Sequence, residues 1–163
     1  MSRIFLVGCW ILLLICGCST SRHTRSTGAG PHIQLSKTDA AVVEALLYRL
    51  SETRAETSEL RKKKGTLFLC WISQDAVNAV VAHLGRESPC IETNCKYIDD
   101  FRDSRSGKGS RIMRVSVRSE TAESALLWIG DRGPSLLGVG LVIELRWVNG
   151  TWRVVSSRIT EVE

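Results

Sequence analysis

The segment around Asn149-Gly150 constrains this chain more than any other. Leu141, Ile143, Leu145 and Trp147 recur at every second position before it, and Trp152 and Val154 continue the alternation after it. Alternation is the period of a half-buried strand. Asn and Gly accept the positive φ that a two-residue hairpin turn demands. Such a turn places Trp147 opposite Trp152 and Leu145 opposite Val154, so both strands bury the same face. A fold for this chain must therefore contain a long C-terminal hairpin with one apolar side and something to cover it. Asn149-Gly150-Thr151 also spells a glycosylation sequon, which the turn chemistry already explains.

The covering elements lie upstream. Ser36-Lys37-Thr38-Asp39 has the form of a capping box, and Val43, Leu46, Leu47 and Leu50 follow at helical spacing. Residues 52–60 extend this helix or start a second. Arg61-Lys62-Lys63-Lys64-Gly65 is a charged break, read as a solvated turn rather than a headgroup patch. Residues 66–72 form a short apolar run of strand length. Ser73 caps a further helix carrying Val77, Val80, Val81 and Leu84, which Gly85 stops. Residues 86–110 are irregular and long for a loop. Met113, Val115 and Val117 alternate with Arg114, Ser116 and Arg118 in a half-buried strand, residues 122–129 form the next, and Gly130-Asp131-Arg132-Gly133-Pro134 is expected to turn.

Helices followed by strands give an α+β class. The expected architecture is N-terminal helices packed on a curved antiparallel sheet of about four strands. The order of the parts and the closing strand Trp152-Arg153-Val154 resemble the NTF2-like and cystatin-like α+β rolls, over roughly residues 36–160. That resemblance implies no particular activity, because such folds serve as enzymes, ligand binders and interaction modules alike.

The N-terminus carries an address. Arg3 precedes an apolar run over residues 4–15, too short for a comfortable membrane span. Ile15-Cys16-Gly17-Cys18 resembles the lipobox of bacterial lipoproteins, with Cys16 departing from the usual small residue. The resemblance implies acylation of Cys18, cleavage before it, and palmitate-type anchoring to membrane lipid. Ser19 in place of Asp implies the periplasmic face of the outer membrane, if the cell has one. The expected organisation is a signal peptide over 1–17, a lipidated tether over 18–35 that includes His23 and His32, and one α+β domain over 36–163.

Cysteine arithmetic follows from that address. With Cys9, Cys16 and Cys18 assigned to signal and lipid, Cys70, Cys90 and Cys95 remain, in a compartment that permits disulfides. The close spacing of Cys90 and Cys95 favours a bridge between them, with Cys70 reduced and buried in its apolar run. A Cys70 bridge to either of the others is the competing assignment.

Nothing in the sequence composes a catalytic or metal site. His83 lacks the companions a zinc shell needs. Gly107-Lys108-Gly109-Ser110 lacks the order of a phosphate loop. Asp99, Asp100 and Asp103 lack calcium-loop spacing. No Gly-x-Ser-x-Gly elbow occurs. No catalytic residue, metal or cofactor is therefore assigned. The formal charge of +5 is modest for a nucleic-acid binder, which concentrates its basic residues in a stripe, so nucleic acid is not an expected partner. Trp71, Trp128, Trp147 and Trp152 fill the core or line a pocket between sheet and helices. The leading expectation is a non-enzymatic envelope lipoprotein that binds a protein or envelope component. The alternative is a small-ligand-binding or enzymatic NTF2-like domain with a tryptophan-lined pocket.

Overall fold

The computed structural model describes residues 34–99, 102–103, 106–133 and 136–162. The signal, Cys18 and most of the tether lie outside the described residues. Helix α1 spans Lys37–Glu52. Its cap is reciprocal: the Asp39 amide donates to Ser36 Oγ at 3.0 Å and Ser36 Oγ donates to the Asp39 carboxylate at 2.7 Å. Helix α2, Arg54–Lys62, is separated from α1 by Thr53 at φ −108°, ψ 36°. Strand β1, Thr66–Cys70, leads to α3, Gln74–Leu84, which Ser73 caps and Gly85 ends at φ 54°. Short strands follow: β2, Cys90–Glu92, and the hairpin β3–β4, Ile98–Asp99 and Arg102–Asp103. The long strands are β5, Ser110–Glu120; β6, Ser124–Gly133; β7, Leu136–Val148; and β8, Thr151–Val162.

The main sheet is six-stranded in the order β2-β1-β5-β6-β7-β8. Strand β1 pairs in parallel with both β2 and β5, and the remaining neighbours are antiparallel. The sheet is thus mixed, and the expected roll of about four antiparallel strands is corrected, as is the likeness to NTF2-like and cystatin-like domains. The α+β class stands. The physical reason lies in the 66–70 run. Its five residues are all buried. A strand covered on both faces reads as continuous apolar sequence, as in parallel sheets, whereas an antiparallel strand with one wet face alternates. Leu67-Phe68-Leu69-Cys70 does not alternate, and it sits between two strands instead of at an edge.

One face of the sheet is covered by helices. Ala41, Ala45, Leu46 and Leu50 of α1, with Ala76 and Val80 of α3, pack on Leu67, Leu69, Met113, Val115, Leu127, Ile129, Ile143 and Leu145. The C-terminal hairpin is as the sequence requires. Asn149 and Gly150 turn at φ 51° and 81°, Trp147 pairs with Trp152, and Leu145 pairs with Val154. The two indoles meet edge to face at 5.2 Å, and Trp152 Nε1 donates to the Lys37 carbonyl at 2.9 Å. Lys37 Nζ stands 4.4 Å from the Trp147 centroid and donates to the Ala122 carbonyl. The start of α1 is therefore clamped to the hairpin by hydrogen bonds and cation–π contact.

Among the described residues, the other face is covered only at one end. Phe68, Cys70 and Ile112 form a small second cluster with Cys95. The disulfide joins Cys70 to Cys95, with Cα atoms 6.1 Å apart. This corrects the Cys90–Cys95 bridge. Cys90 opens β2 and is exposed, whereas burial of Cys70 on the outer face of β1 brings it under the Cys95 turn. Short sequence spacing favoured the wrong partner, and the parallel placement of β1 decided the right one. Of the segment expected to turn, Gly130-Asp131-Arg132-Gly133 instead continues β6, and Pro134 lies outside the described residues.

Candidate functional site

Three arrangements on this scaffold bear chemistry, and each has a different cause. The first is buried and ionic. Arg111 and Asp131, on adjacent strands, are 2% and 1% exposed. Asp131 accepts from Arg111 Nε at 2.8 Å, Arg111 Nη2 at 2.6 Å and Arg49 Nε at 2.8 Å. Arg111 also donates to Thr57 Oγ1 at 2.8 Å and Thr53 Oγ1 at 2.5 Å. The two threonine hydroxyls in turn donate to the Arg49 and Thr53 carbonyls. Every polar group in this set has a partner, as burial demands. The network ties the break between α1 and α2 to the sheet and holds no group poised for reaction.

The second arrangement is a cleft of about 540 Å³ among the three helices. Arg54, Thr57 and Arg61 share one face of α2 and look across at Leu47 and Leu50 of α1 and His83 of α3. Its lining is polar and basic, with an apolar floor. None of the four tryptophans lines it. His83 reaches it from the last turn of α3.

The third is the open face of the sheet. Pairing registers place Arg114 and Arg118 of β5, Arg132 of β6, Arg146 of β7, and Arg153 and Arg158 of β8 on the side away from the helices. Glu144 and Glu161 share that side. Arg146 stands directly opposite Arg153, and facing like charges weaken a strand pair; Glu144, 3.8 Å from the Arg146 guanidinium, offsets this only from an exposed position. Trp128 lies in the middle of this face, opposite Ser116 and Val142, with the Arg118 guanidinium 5.7 Å from its ring centroid. Trp71 stands at its margin, 70% exposed, with the Arg114 guanidinium at 5.6 Å. Trp71 has φ 67°, a conformation costly for a bulky residue.

The tryptophans therefore do not converge. Trp147 and Trp152 clamp the hairpin to α1, and Trp152 is core at 3% exposure. Trp71 and Trp128 each hold an arginine on or beside the open face. Sequence reasoning placed the tryptophans in one pool and did not gather the arginines into one surface. Part of the signal was present: Arg114, Arg118, Arg132, Arg146 and Arg153 fall on the polar phase of their strands, whereas Arg158 joins them only through a register shift in β8.

Among the described residues, no group of three or more His, Cys, Asp or Glu side chains could hold a metal ion. No helix there is long and apolar enough to cross a membrane. The chain matches no family model, no curated protein and no solved structure. With that result and the mixed sheet, the resemblance to a bacterial lipoprotein carrying an NTF2-like or cystatin-like roll does not stand.

Proposed function

We propose that this protein is a non-enzymatic binding domain of the cell envelope, and that its open sheet face recognises an anionic envelope component. The observation carrying this reading is the gathering of arginines on the sheet face that none of the three α-helices described covers. Such a field attracts polyanions and is weakened by salt. The opposed pair Arg146 and Arg153 does not serve stability, and an anionic ligand relieves its repulsion. The envelope address belongs to the same proposal; the apolar run over residues 4–15 behind Arg3, too short for a comfortable membrane span, supports it. The Cys70–Cys95 disulfide accords with an oxidising compartment.

Retention of the chain on an immobilised anionic polymer, followed against salt, tests this reading. Arg146→Glu with Arg153→Glu is expected to abolish retention at salt concentrations where the unaltered chain still binds. Retention equal in the two proteins would sink the proposal. A second reading, binding of a small anionic amphiphile, is favoured by the Arg54, Arg61 and His83 lining of the helical cleft over its leucine floor. Calorimetric titration with a fatty acid, repeated on Arg61→Ala, checks it.

A further inference from the structure

We infer that Trp128 is a stacking platform and that the ligand of the open face is an anionic polysaccharide, an inference that rests on that face being the binding surface. Gly130 and Gly140 are paired across β6 and β7. A Cβ at Gly130 would overlap Trp128 Cη2 and stand 3.0 Å from Cζ3, and a Cβ at Gly140 would lie 3.1 Å from Trp128 Nε1. The indole thus lies down on a floor made of two bare glycines. Side chains at those positions would push it upright. Laid flat, one ring face is spent on backbone and the other is turned away from the sheet, toward Arg118.

The surroundings match this posture. Arg114 is the β5 partner of Gly130, and Arg158 is the β8 partner of Val142, which itself faces Trp128. Guanidinium forks bind carboxylate, sulfate and phosphate groups in two-point geometry. Arg114 leads across to Trp71, so each of the two β5 arginines on the open face has its own indole. Strands β1 and β6 flank β5, which puts these two aromatic positions roughly 10 Å apart, two strand spacings. A chain of flat rings with acidic groups at their edges fits a row of alternating indoles and arginines. A sugar ring offers an apolar C–H face to an indole and its charged substituents to the sides.

A single-stranded nucleic acid also has flat rings and charge. The Cys70–Cys95 disulfide accords with an oxidising compartment outside the cytosol, which favours a polysaccharide over a nucleic acid.

The test compares dextran sulfate, polyphosphate and an oligothymidylate, matched in charge and at one salt concentration, on the full chain in detergent micelles. Dextran sulfate is expected to bind about tenfold more tightly than polyphosphate, a gain in the range of ring stacking. Trp128→Ala is expected to erase that preference while polyphosphate affinity stays within about twofold, since the charge is untouched. Where Trp128→Ala fails to fold, Trp128→Phe decides, because it keeps a ring over the glycines. Its preference is expected to fall about threefold with the smaller stacking surface. Equal affinity for the two polymers in the unaltered chain overturns the inference, as does a preference undiminished in the Trp128 variants. An oligothymidylate bound most tightly of the three, and lost on substitution of Trp128, overturns it in favour of nucleic acid. Failure of every polymer to bind overturns the proposed function as well, whereas loss of the sugar preference alone leaves the basic face intact.

Discussion

Arg111 and Arg114 lie three residues apart on β5 and face opposite sides of the same sheet. Arg111 is sealed under α1 and α2 and engages Asp131, Thr53 and Thr57. Arg114 is exposed, with its guanidinium against an equally exposed Trp71. One charge has been made part of the core, and its neighbour is available to whatever approaches. The difference teaches that chemistry on this domain is sorted by layer. Charge on the helical side is neutralised and hydrogen-bonded because burial penalises anything less. Charge on the open side meets like charge across the strands at Arg146 and Arg153, has only an exposed ion pair with Glu144 beside it, and contributes little to stability.

Mutation can break this contrast at several strengths. The largest loss is expected from Asp131→Ala, which leaves Arg111 buried and unpaired, at about 3–5 kcal/mol. The companion double change Arg111→Met with Asp131→Leu removes both charges and is expected to be close to neutral. Denaturant unfolding of versions lacking residues 1–18 compares them, and a double variant as weak as the single one would mean the threonine contacts dominate. Trp152→Ala empties a core position at 3% exposure and is expected to cost about 3–5 kcal/mol. Its neighbour Arg153→Ala, on the open face, is expected to cost under about 0.5 kcal/mol. Equal losses in that pair would mean the two faces are not energetically distinct.

Next in size is Cys95→Ser. It opens a loop with a sequence separation of 25, for which chain entropy suggests about 3 kcal/mol. Peptide mapping of the unreduced protein should show Cys70 linked to Cys95, and a linked Cys90–Cys95 peptide would refute the assignment. The smallest expected effect on stability is that of Arg146→Glu, within about 0.5 kcal/mol of zero, since it relieves the like-charge pair with Arg153 and loses an exposed contact with Glu144 at 3.8 Å. A marked destabilisation would show that the Arg146–Glu144 contact is structural and would weaken the view of the open face as a surface kept for a ligand.

Much of the local structure was legible in the residues. Ser36 and Ser73 cap helices, Gly85 ends one, and Asn149-Gly150 turns with both tryptophans in register, because these features depend on neighbours in the chain. Asp131 shows the opposite case. In Gly130-Asp131-Arg132-Gly133 the residue types suit a turn, yet the segment stays in β6 because Arg111 and Arg49 converge on that carboxylate from β5 and α1. Local propensity yields where a long-range ion pair outweighs it. The pairing of Cys70 follows the same rule, since the parallel seat of β1 between β2 and β5 brings it beneath Cys95.

The candidate site divides in the same way. Alternation determines by itself that Arg114, Arg132, Arg146 and Arg153 lie opposite the apolar phase of their strands, whereas Arg111 takes the apolar phase and Arg158 reaches the open side only through a register shift in β8. That those phases merge into a single face, that helices leave the face bare, and that Gly130 and Gly140 meet to form a floor for Trp128 are decisions of strand order and register. Sequence period determines which side of a strand a residue takes. Only the tertiary pairing decides which strands lie beside it, because the hydrogen bonds and packing that choose neighbours join residues far apart in the chain.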